Sequence, residues 1–192
     1  GGELDALFAL EVPELRDLDG DDQFEDARLL RELPGNVGHG RNDIAINDAG
    51  KVLAIHGDAV DVPKDRITDY TSPLREARRG KKSHEGFLVR MDAEGEKWEL
   101  LTAGLRNPFG VAVNEYGDAF TYDADAEFDM GTPWYRPTRV LQLFEGGDFG
   151  WRGVTGKWPP HYADHADNAP PTLDIGKGSP TAVTFGYGAK FP

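Results

Sequence analysis

The side chains best suited to chemistry are His39, which stands between two glycines, and the neighbouring pair Arg106 and Asn107. A neutral histidine can accept a proton from a substrate hydroxyl, while an arginine and an amide can hold a carboxylated or quinone-like ligand. The alternative is structural, because His39 can also cap a turn and Arg106 can pair with a nearby acidic residue.

Three alternating acidic residues, Asp123, Asp125 and Glu127, form a second group. On an extended strand they project to one face, about 6.5 to 7 Å apart, and their charges repel one another unless a cation neutralises them. Carboxylate oxygens of this kind suit Ca²⁺. The three residues are therefore predicted calcium ligands, and pairing with Arg136 or Arg139 is the alternative.

A third group, Asp17, Asp19 and Asp21, spaces its acidic residues as the first, third and fifth positions of a calcium-binding loop. It is not an EF-hand, because the sixth position is Asp22 rather than glycine and the twelfth is Arg28 rather than glutamate. The pattern predicts either a structural calcium loop or a solvated hairpin turn.

Two histidines, His161 and His165, lie near Asp164 and Asp167, and imidazole with carboxylate is typical of transition-metal sites. The surrounding stretch 157–178 is rich in proline and has no periodicity. It is predicted to be a long, solvated rim loop of the fold rather than a metal site.

An internal repeat indicates which elements position these groups. Residues 42–58 align without a gap on residues 109–125, and each copy reads as a strand, a turn closed by glycine and a second strand. A third copy begins at residue 180 and stops where the sequence ends. Repeats of short strands indicate a β-propeller, in which the segments before the innermost strands converge on one axis. His39 and Arg106 both precede such a strand, so they are predicted to face one cavity.

The whole chain, residues 1–192, is predicted to be a single all-β domain that forms part of a propeller. Each repeat spans about seventy residues, which leaves room for two to three blades. A closed propeller usually needs at least about four, and an incomplete one leaves strand edges that associate. The predicted strands are a hairpin within 5–33, the pair 44–47 and 51–56, a hairpin of 87–91 and 97–101, the second repeat at 110–122 and a strand at 139–144.

Composition limits the partners of the chain. The net charge of -13 disfavours nucleic acid and anionic membranes and is compatible with bound cations. The sequence has no cysteine, which excludes disulfides, thiolate metal sites and covalent haem attachment within these residues. No signal peptide or membrane span is visible in it.

Several motifs carry a resemblance to a known family: Gly38-His-Gly-Arg-Asn-Asp43 and the residues up to Lys51, then Gly57-Asp58, Gly104-Leu-Arg-Asn-Pro-Phe-Gly110 and Gly146-Gly-Asp-Phe-Gly-Trp151. Over most of residues 36–155 the chain resembles the soluble quinoprotein glucose and sorbosone dehydrogenases. These are six-bladed β-propellers that oxidise sugars with pyrroloquinoline quinone (PQQ) and calcium. Residues 123–127, 131–137 and 179–192 carry a closer likeness, to the large membrane-bound dehydrogenase propellers of planctomycete-type bacteria.

The resemblance implies roles for three residues. His39 is implied to be the general base that takes the proton of a sugar or alcohol hydroxyl, and Arg106 and Asn107 are implied to contact the quinone. It also implies a periplasmic or secreted protein and a haem c electron acceptor outside this chain. The alternatives are a non-catalytic, calcium-stabilised propeller that binds glycans or proteins, and a metal-dependent propeller lactonase.

Three positions depart from the family pattern. Gly38 stands where the sugar dehydrogenases have aspartate, which predicts that His39 lacks an orienting carboxylate. Phe109 replaces a glutamine, which removes one polar contact to the cofactor. Residues 124–126 read Ala-Asp-Ala where the family has a Gln-Gly-Pro segment beside its calcium.

Overall fold

The computed structural model describes residues 10–33, 35, 38–63, 67–70, 84–133, 135–153, 168–179 and 181–190. These residues form one 3₁₀ turn, Glu127–Asp129, and twelve strands: β1 Leu10–Arg16, β2 Asp26–Leu33, β3 Arg41–Ile46, β4 Val52–His56, β5 Ile67–Tyr70, β6 Gly86–Met91, β7 Trp98–Leu105, β8 Pro108–Val113, β9 Ala119–Asp123, β10 Thr138–Leu143, β11 Gly147–Asp148 and β12 Leu173–Gly176. The prediction of an all-β chain is confirmed. Among the described residues, no helix is long and apolar enough to cross a membrane.

Two antiparallel four-stranded sheets form the body of the molecule. The first sheet has the strand order β3-β4-β6-β7, and the second has the order β8-β9-β10-β12. Strands β5 and β11 add in parallel to different parts of β7. Each four-stranded sheet is one propeller blade, and β3 of the first blade lies beside β8 of the second. The described residues thus form two blades, within the two to three that the repeat predicted.

The first blade is apolar on both faces because both faces are covered. Successive residues of a strand point to opposite faces, and here each face belongs to a different cluster. One cluster joins the two blades through Leu53, Ile55, Leu88, Leu105, Val111 and Leu141. The other packs Ala54, Phe87, Val89 and Leu100 under Leu33 of β2. Leu33, the last residue of β2, therefore packs on the side of the first blade that faces away from the second.

The predicted glycine-closed turns are present at the same place in both repeats. Gly50 donates its N–H to the carbonyl of Asn47 at 2.9 Å, and Gly117 donates to Asn114 at 3.0 Å. Both glycines have positive φ, 71° and 89°, a conformation that costs other residues energy. The repeat in sequence is therefore a repeat in backbone conformation.

Two segments differ from the prediction. The described residues of the third copy, 181–190, form no strand, although Phe185 packs edge-on against Phe120 of β9 at 5.3 Å. The predicted rim loop 157–178 contains β12, which pairs with β10. His161, Asp164, His165 and Asp167 lie outside the described residues.

Candidate functional site

A cavity of about 350 Å³ opens at the end of the blades where the segments before β3 and β8 approach those after β4 and β9. It is lined by Gly38, His39, Asp58, Ala59, Arg106, Phe128 and Trp151. His39 and Arg106 thus lie on one cavity, as their equivalent positions in the repeat predicted. Asn107 is not among its lining residues.

Backbone hydrogen bonds fix the position of the histidine. Gly57 donates to the carbonyl of Gly40 at 2.7 Å, and Ala59 donates to the carbonyl of His39 at 3.1 Å. A Cβ atom on Gly57 would lie 2.7 Å from the backbone of His39, so only glycine allows this approach. The second repeat has the equivalent bond, from Ala124 to Asn107 at 3.3 Å.

His39 has a carboxylate partner, contrary to the prediction drawn from Gly38. Its Nδ1 lies 2.7 Å from Oδ1 of Asp58, which follows β4 in the same repeat. The indole N–H of Trp151 donates to the other oxygen of Asp58. Sequence reasoning missed this role, because it looked for the acid beside the histidine in the chain rather than at the end of the paired strand.

The geometry determines which imidazole nitrogen carries the proton. An ionised carboxylate only accepts hydrogen bonds, so in the neutral imidazole of His39 the proton is on Nδ1 and the lone pair is on Nε2. His39 is partly exposed, with 29% of its side-chain surface accessible, whereas Asp58 is 13% accessible. In its neutral form, His39 therefore has a fixed tautomer in which Nε2 is the proton acceptor.

Arg106 is the cation of the cavity, and its side chain is only 7% exposed. Its guanidinium lies over the indole of Trp151, 5.4 Å from the ring centroid. Nη2 donates to Oε2 of Glu127 at 2.9 Å, and Nη1 donates to the backbone carbonyl of Asp125. The Arg106 carbonyl accepts the N–H of Asp58 at 2.9 Å, which joins the base and the cation through one backbone contact.

The structure does not bring the predicted calcium ligands Asp123, Asp125 and Glu127 to a common point. Asp123 is fully buried and forms an ion pair with Arg139 at 3.3 Å, the alternative left open by the sequence. Its carboxylate also accepts the backbone N–H of Arg106 at 3.2 Å and that of Asn107 at 2.9 Å. Asp123 thus already has three donors.

Asp125 is held by a phenol. Tyr135 donates its hydroxyl proton to Oδ2 of Asp125. Burial and this hydrogen bond raise the pKa of Tyr135 to about 12, so the phenol keeps its proton and remains a donor near neutral pH. With Glu127 bound to Arg106, each of the three acids has a different partner.

Asn107 connects the blades through its side chain. Its Oδ1 accepts a hydrogen bond from Nδ2 of Asn42 at 3.1 Å, and the same Nδ2 donates to the carbonyl of Pro108. Asn42 precedes Asp43 on β3, so these bonds join the innermost strands of the two blades.

The acidic loop between β1 and β2 does bring carboxylates together. Oxygen atoms of Asp17, Asp19, Asp21 and Glu25 all lie within 4.8 Å of one another. Backbone N–H groups, that of Gly20 above all, lower the pKa of Asp17. Three of these residues were predicted as a group, and Glu25 is the fourth member that the loop spacing did not indicate.

The sequence matches no protein-family model and no curated protein. Solved structures resemble the fold. The PQQ-bound aldose sugar dehydrogenase of Streptomyces coelicolor aligns over 85% of this chain and 44% of its own, with a TM-score of 0.57 and 15% identity. An oxidoreductase from Thermus thermophilus, described as a glucose dehydrogenase, aligns over 91% and 51%, with a TM-score of 0.59 and 19% identity. A further glucose dehydrogenase aligns over 83% and 47%, with a TM-score of 0.51 and 18% identity.

These likenesses identify the class of fold. The chain has the β-propeller fold of these sugar dehydrogenases and spans about half of their length. The predicted fold, part of a six-bladed propeller, is confirmed. At these identities the comparison establishes the fold alone, because one fold can support many functions.

Proposed function

We propose that this chain is part of an oxidoreductase that removes hydride from a sugar or alcohol carbon and transfers it to a bound quinone of the PQQ type. The observation that carries this proposal is the His39–Asp58 pair on the same cavity as Arg106. The fold shared with a PQQ-bound sugar dehydrogenase supports the choice of substrate and cofactor class.

His39 is the base of the proposed reaction. Hydride leaves a carbinol carbon more readily when the hydroxyl proton is removed. The lone pair on Nε2 of His39 accepts this proton. Asp58 fixes the tautomer through Nδ1 and stabilises the imidazolium that forms. Trp151 holds the second oxygen of Asp58, which keeps the carboxylate aimed at the histidine.

Two residues of the cavity fit a carboxylated quinone and its substrate: His39 as the base and Arg106 as the cation. Arg106 is the residue that would hold a carboxylate of the quinone, and its buried Nε has no hydrogen-bond partner within the described part of the chain. When bound, PQQ supplies the hydride acceptor. Asn107 is proposed as an adjoining contact, although its amide oxygen accepts a bond from Asn42.

Calcium enters the proposal in two places. The loop with Asp17, Asp19 and Asp21 has converging oxygen atoms, which suit a structural Ca²⁺. Asp123, Asp125 and Glu127 were the other predicted ligands. Binding of Ca²⁺ there requires these acids to leave their present partners, so the hairpin loop is the better supported site.

The proposed setting of the reaction rests on resemblance alone. A periplasmic or secreted location, and a haem c domain that takes the electrons, are properties of the planctomycete-type propellers. Both remain proposals for this chain.

The test is a titration of the protein with PQQ, with and without Ca²⁺, followed by tryptophan fluorescence. Trp151 lies against Arg106 and reports on its surroundings. Saturable, calcium-dependent binding is expected, and the double variant His39→Ala, Arg106→Ala should lose it. The control is Arg28→Ala, at an exposed residue of β2 that does not line the cavity. Failure of a folded, calcium-loaded protein to bind PQQ would contradict the quinone mechanism.

Two observations favour a second candidate, a calcium-stabilised propeller that binds a glycan or protein without catalysis. Arg106 already has Glu127 as a counter-ion, and the acidic loop offers a structural cation site remote in sequence from the cavity. Stabilisation by Ca²⁺ without any binding of PQQ would support this candidate. Metal-dependent hydrolysis of a lactone would instead support a lactonase.

A further inference from the structure

The segment from Asp123 to Glu127 wraps around Arg106. Its alternating acids use three different groups for this: the carboxylate of Asp123 accepts the backbone N–H of Arg106, the main-chain carbonyl of Asp125 accepts Nη1, and the carboxylate of Glu127 accepts Nη2. The three residues whose spacing suggested a metal site therefore all bind Arg106, one at its backbone N–H and two at its guanidinium.

Of these three contacts with Arg106, the ion pair with Glu127 is the one that can break without disturbing buried groups. Asp123 is fully buried and tied to Arg139, and the carboxylate of Asp125 is tied to Tyr135. The Glu127 side chain is 63% exposed, whereas that of Arg106 is 7% exposed. Glu127 can move into solvent with little loss, because an exposed carboxylate regains its hydration there.

The neighbourhood of this ion pair suits a ligand. Phe128, the residue after Glu127, lines the cavity and is 62% exposed, so it offers a ring to a planar ligand at the mouth. The guanidinium itself lies over the ring of Trp151, which also lines the cavity. Arginine binds carboxylates through paired N–H groups, and Glu127 already uses this geometry, with its oxygens 2.9 and 3.5 Å from Nη2 and Nη1.

We propose that Glu127 is an internal stand-in for a ligand carboxylate: it occupies the anion site of Arg106 and is displaced when an anionic ligand binds the cavity. Glu127 thereby sets the affinity of the cavity for carboxylated ligands. This inference rests on the proposed function where the ligand is PQQ, a quinone with three carboxylates. The anion site of Arg106 can also be tested with a carboxylated ligand that is not a quinone.

The variant Glu127→Gln keeps the shape of the side chain and removes the competing charge. We expect it to bind carboxylated ligands about tenfold more tightly than the unmodified protein. The matched control is Glu94→Gln, which makes the same change of net charge at an exposed turn between β6 and β7. This control should alter the dissociation constant less than about twofold, because Glu94 does not line the cavity and exposed charges are screened by salt.

Two probes are titrated by tryptophan fluorescence and by calorimetry: PQQ, and benzene-1,3,5-tricarboxylate, which has the carboxylates but no quinone. Tighter binding of both probes to Glu127→Gln supports the inference and leaves the proposed function standing. Tighter binding of the tricarboxylate, with no binding of PQQ to either protein, supports the inference and contradicts the quinone. The double variant Glu127→Gln, Arg106→Met should lose the gain.

Two results overturn the inference. One is a dissociation constant for both probes that Glu127→Gln leaves unchanged or weakens, because Glu127 then does not compete. The other is the absence of any tricarboxylate or PQQ binding in all variants, because Arg106 is then no anion site. Circular dichroism of Glu127→Gln verifies that the exposed substitution leaves the fold intact.

Discussion

At the scale of single residues, the site depends on a carboxylate and a histidine that are 19 positions apart in the chain and 2.7 Å apart in space. The repeat brings them together, because His39 precedes β3 and Asp58 follows β4, its antiparallel partner. A strand pair places its entry and exit at the same end. The histidine therefore does not need an acid as its direct neighbour.

For the proposed sugar oxidation, Asp58→Asn should lower kcat by about a hundredfold, because an amide fixes neither the tautomer nor the charge of His39. Binding of PQQ should change little, since Arg106 is untouched. Steady-state rates with an artificial electron acceptor, together with the fluorescence titration, measure both effects. The exposed substitution Asp48→Asn is the control. Equal rates for Asp58→Asn and the unmodified protein would exclude Asp58 as a positioning residue.

A second histidine, His56, is buried in the core rather than in the cavity. Its ring packs against Phe87, with centroids 4.8 Å apart, and neither nitrogen has a hydrogen-bond partner among the described residues. Burial, together with the nearby charge of Arg41, lowers the pKa of His56 to about 3. The folded protein therefore keeps this imidazole neutral where the unfolded chain, with its ordinary pKa near 6.5, binds a proton.

His56 should make the protein sensitive to acid. Its contribution to stability is complete above about pH 6.5 and is lost as the pH falls from there toward 3, by up to roughly 1.4 kcal/mol per pH unit. His56→Phe should flatten the fall in the free energy of unfolding over this range. Urea denaturation at several pH values measures the slope of the free energy of unfolding against pH. His84→Asn, at an exposed histidine, should keep the slope of the unmodified protein, and an unchanged slope in His56→Phe would refute the prediction.

At the scale of elements, the end of β7 positions Trp151, the residue that lies against Arg106 in the cavity. Phe149 donates its N–H to the carbonyl of Ala103 at 3.0 Å, and Trp151 donates to Gly104 at 2.9 Å, so the segment after β11 follows β7 toward the cavity. Gly104 has a φ of 78°, and a Cβ atom there would lie 2.3 Å from Oδ1 of Asp148. Glycine is therefore required for the approach that places Trp151 beneath Arg106.

Gly104→Ala should destabilise the protein by about 2 to 4 kcal/mol, the sum of an unfavourable backbone conformation and the overlap with Asp148. Gly117→Ala is the matched control, because Gly117 also has positive φ but nothing lies within 4 Å of its would-be Cβ. That variant should lose only about 1 kcal/mol. Urea unfolding compares the two, and equal losses would show that the close approach at Gly104 is not limiting.

At the scale of the whole molecule, side chains of β3 join the two blades near the axis. Oδ2 of Asp43 accepts the N–H of Val111 on β8 at 2.9 Å. This bond completes the backbone pairing of β8 at a point where its register with β9 shifts, between Phe109 and Val111. Asn42 adds a second link through Asn107 and thereby fixes the segment that carries Arg106.

Asp43→Ala should weaken the contact between the blades by about 1 kcal/mol, the net value of one hydrogen bond. The loss of this hydrogen bond should appear as faster hydrogen exchange at the amide of Val111, because this amide loses its acceptor. Asp48→Ala, in the exposed turn of the same blade, should leave that amide unchanged. An unaltered exchange rate in Asp43→Ala would contradict the prediction, because Asp43 would then not protect this amide.

The sequence by itself determined the fold class, the strand pairs of both repeats and the shared cavity of His39 and Arg106. It could do so because repeated apolar strands and glycine turns encode local geometry, and because equivalent positions in a propeller converge. Only the tertiary structure decided the partners of the charged groups: Asp58 for His39, Arg139 for Asp123 and Glu127 for Arg106. These pairs form between different strands, and a carboxylate in a sequence carries no sign of whether a metal ion or a guanidinium will neutralise it.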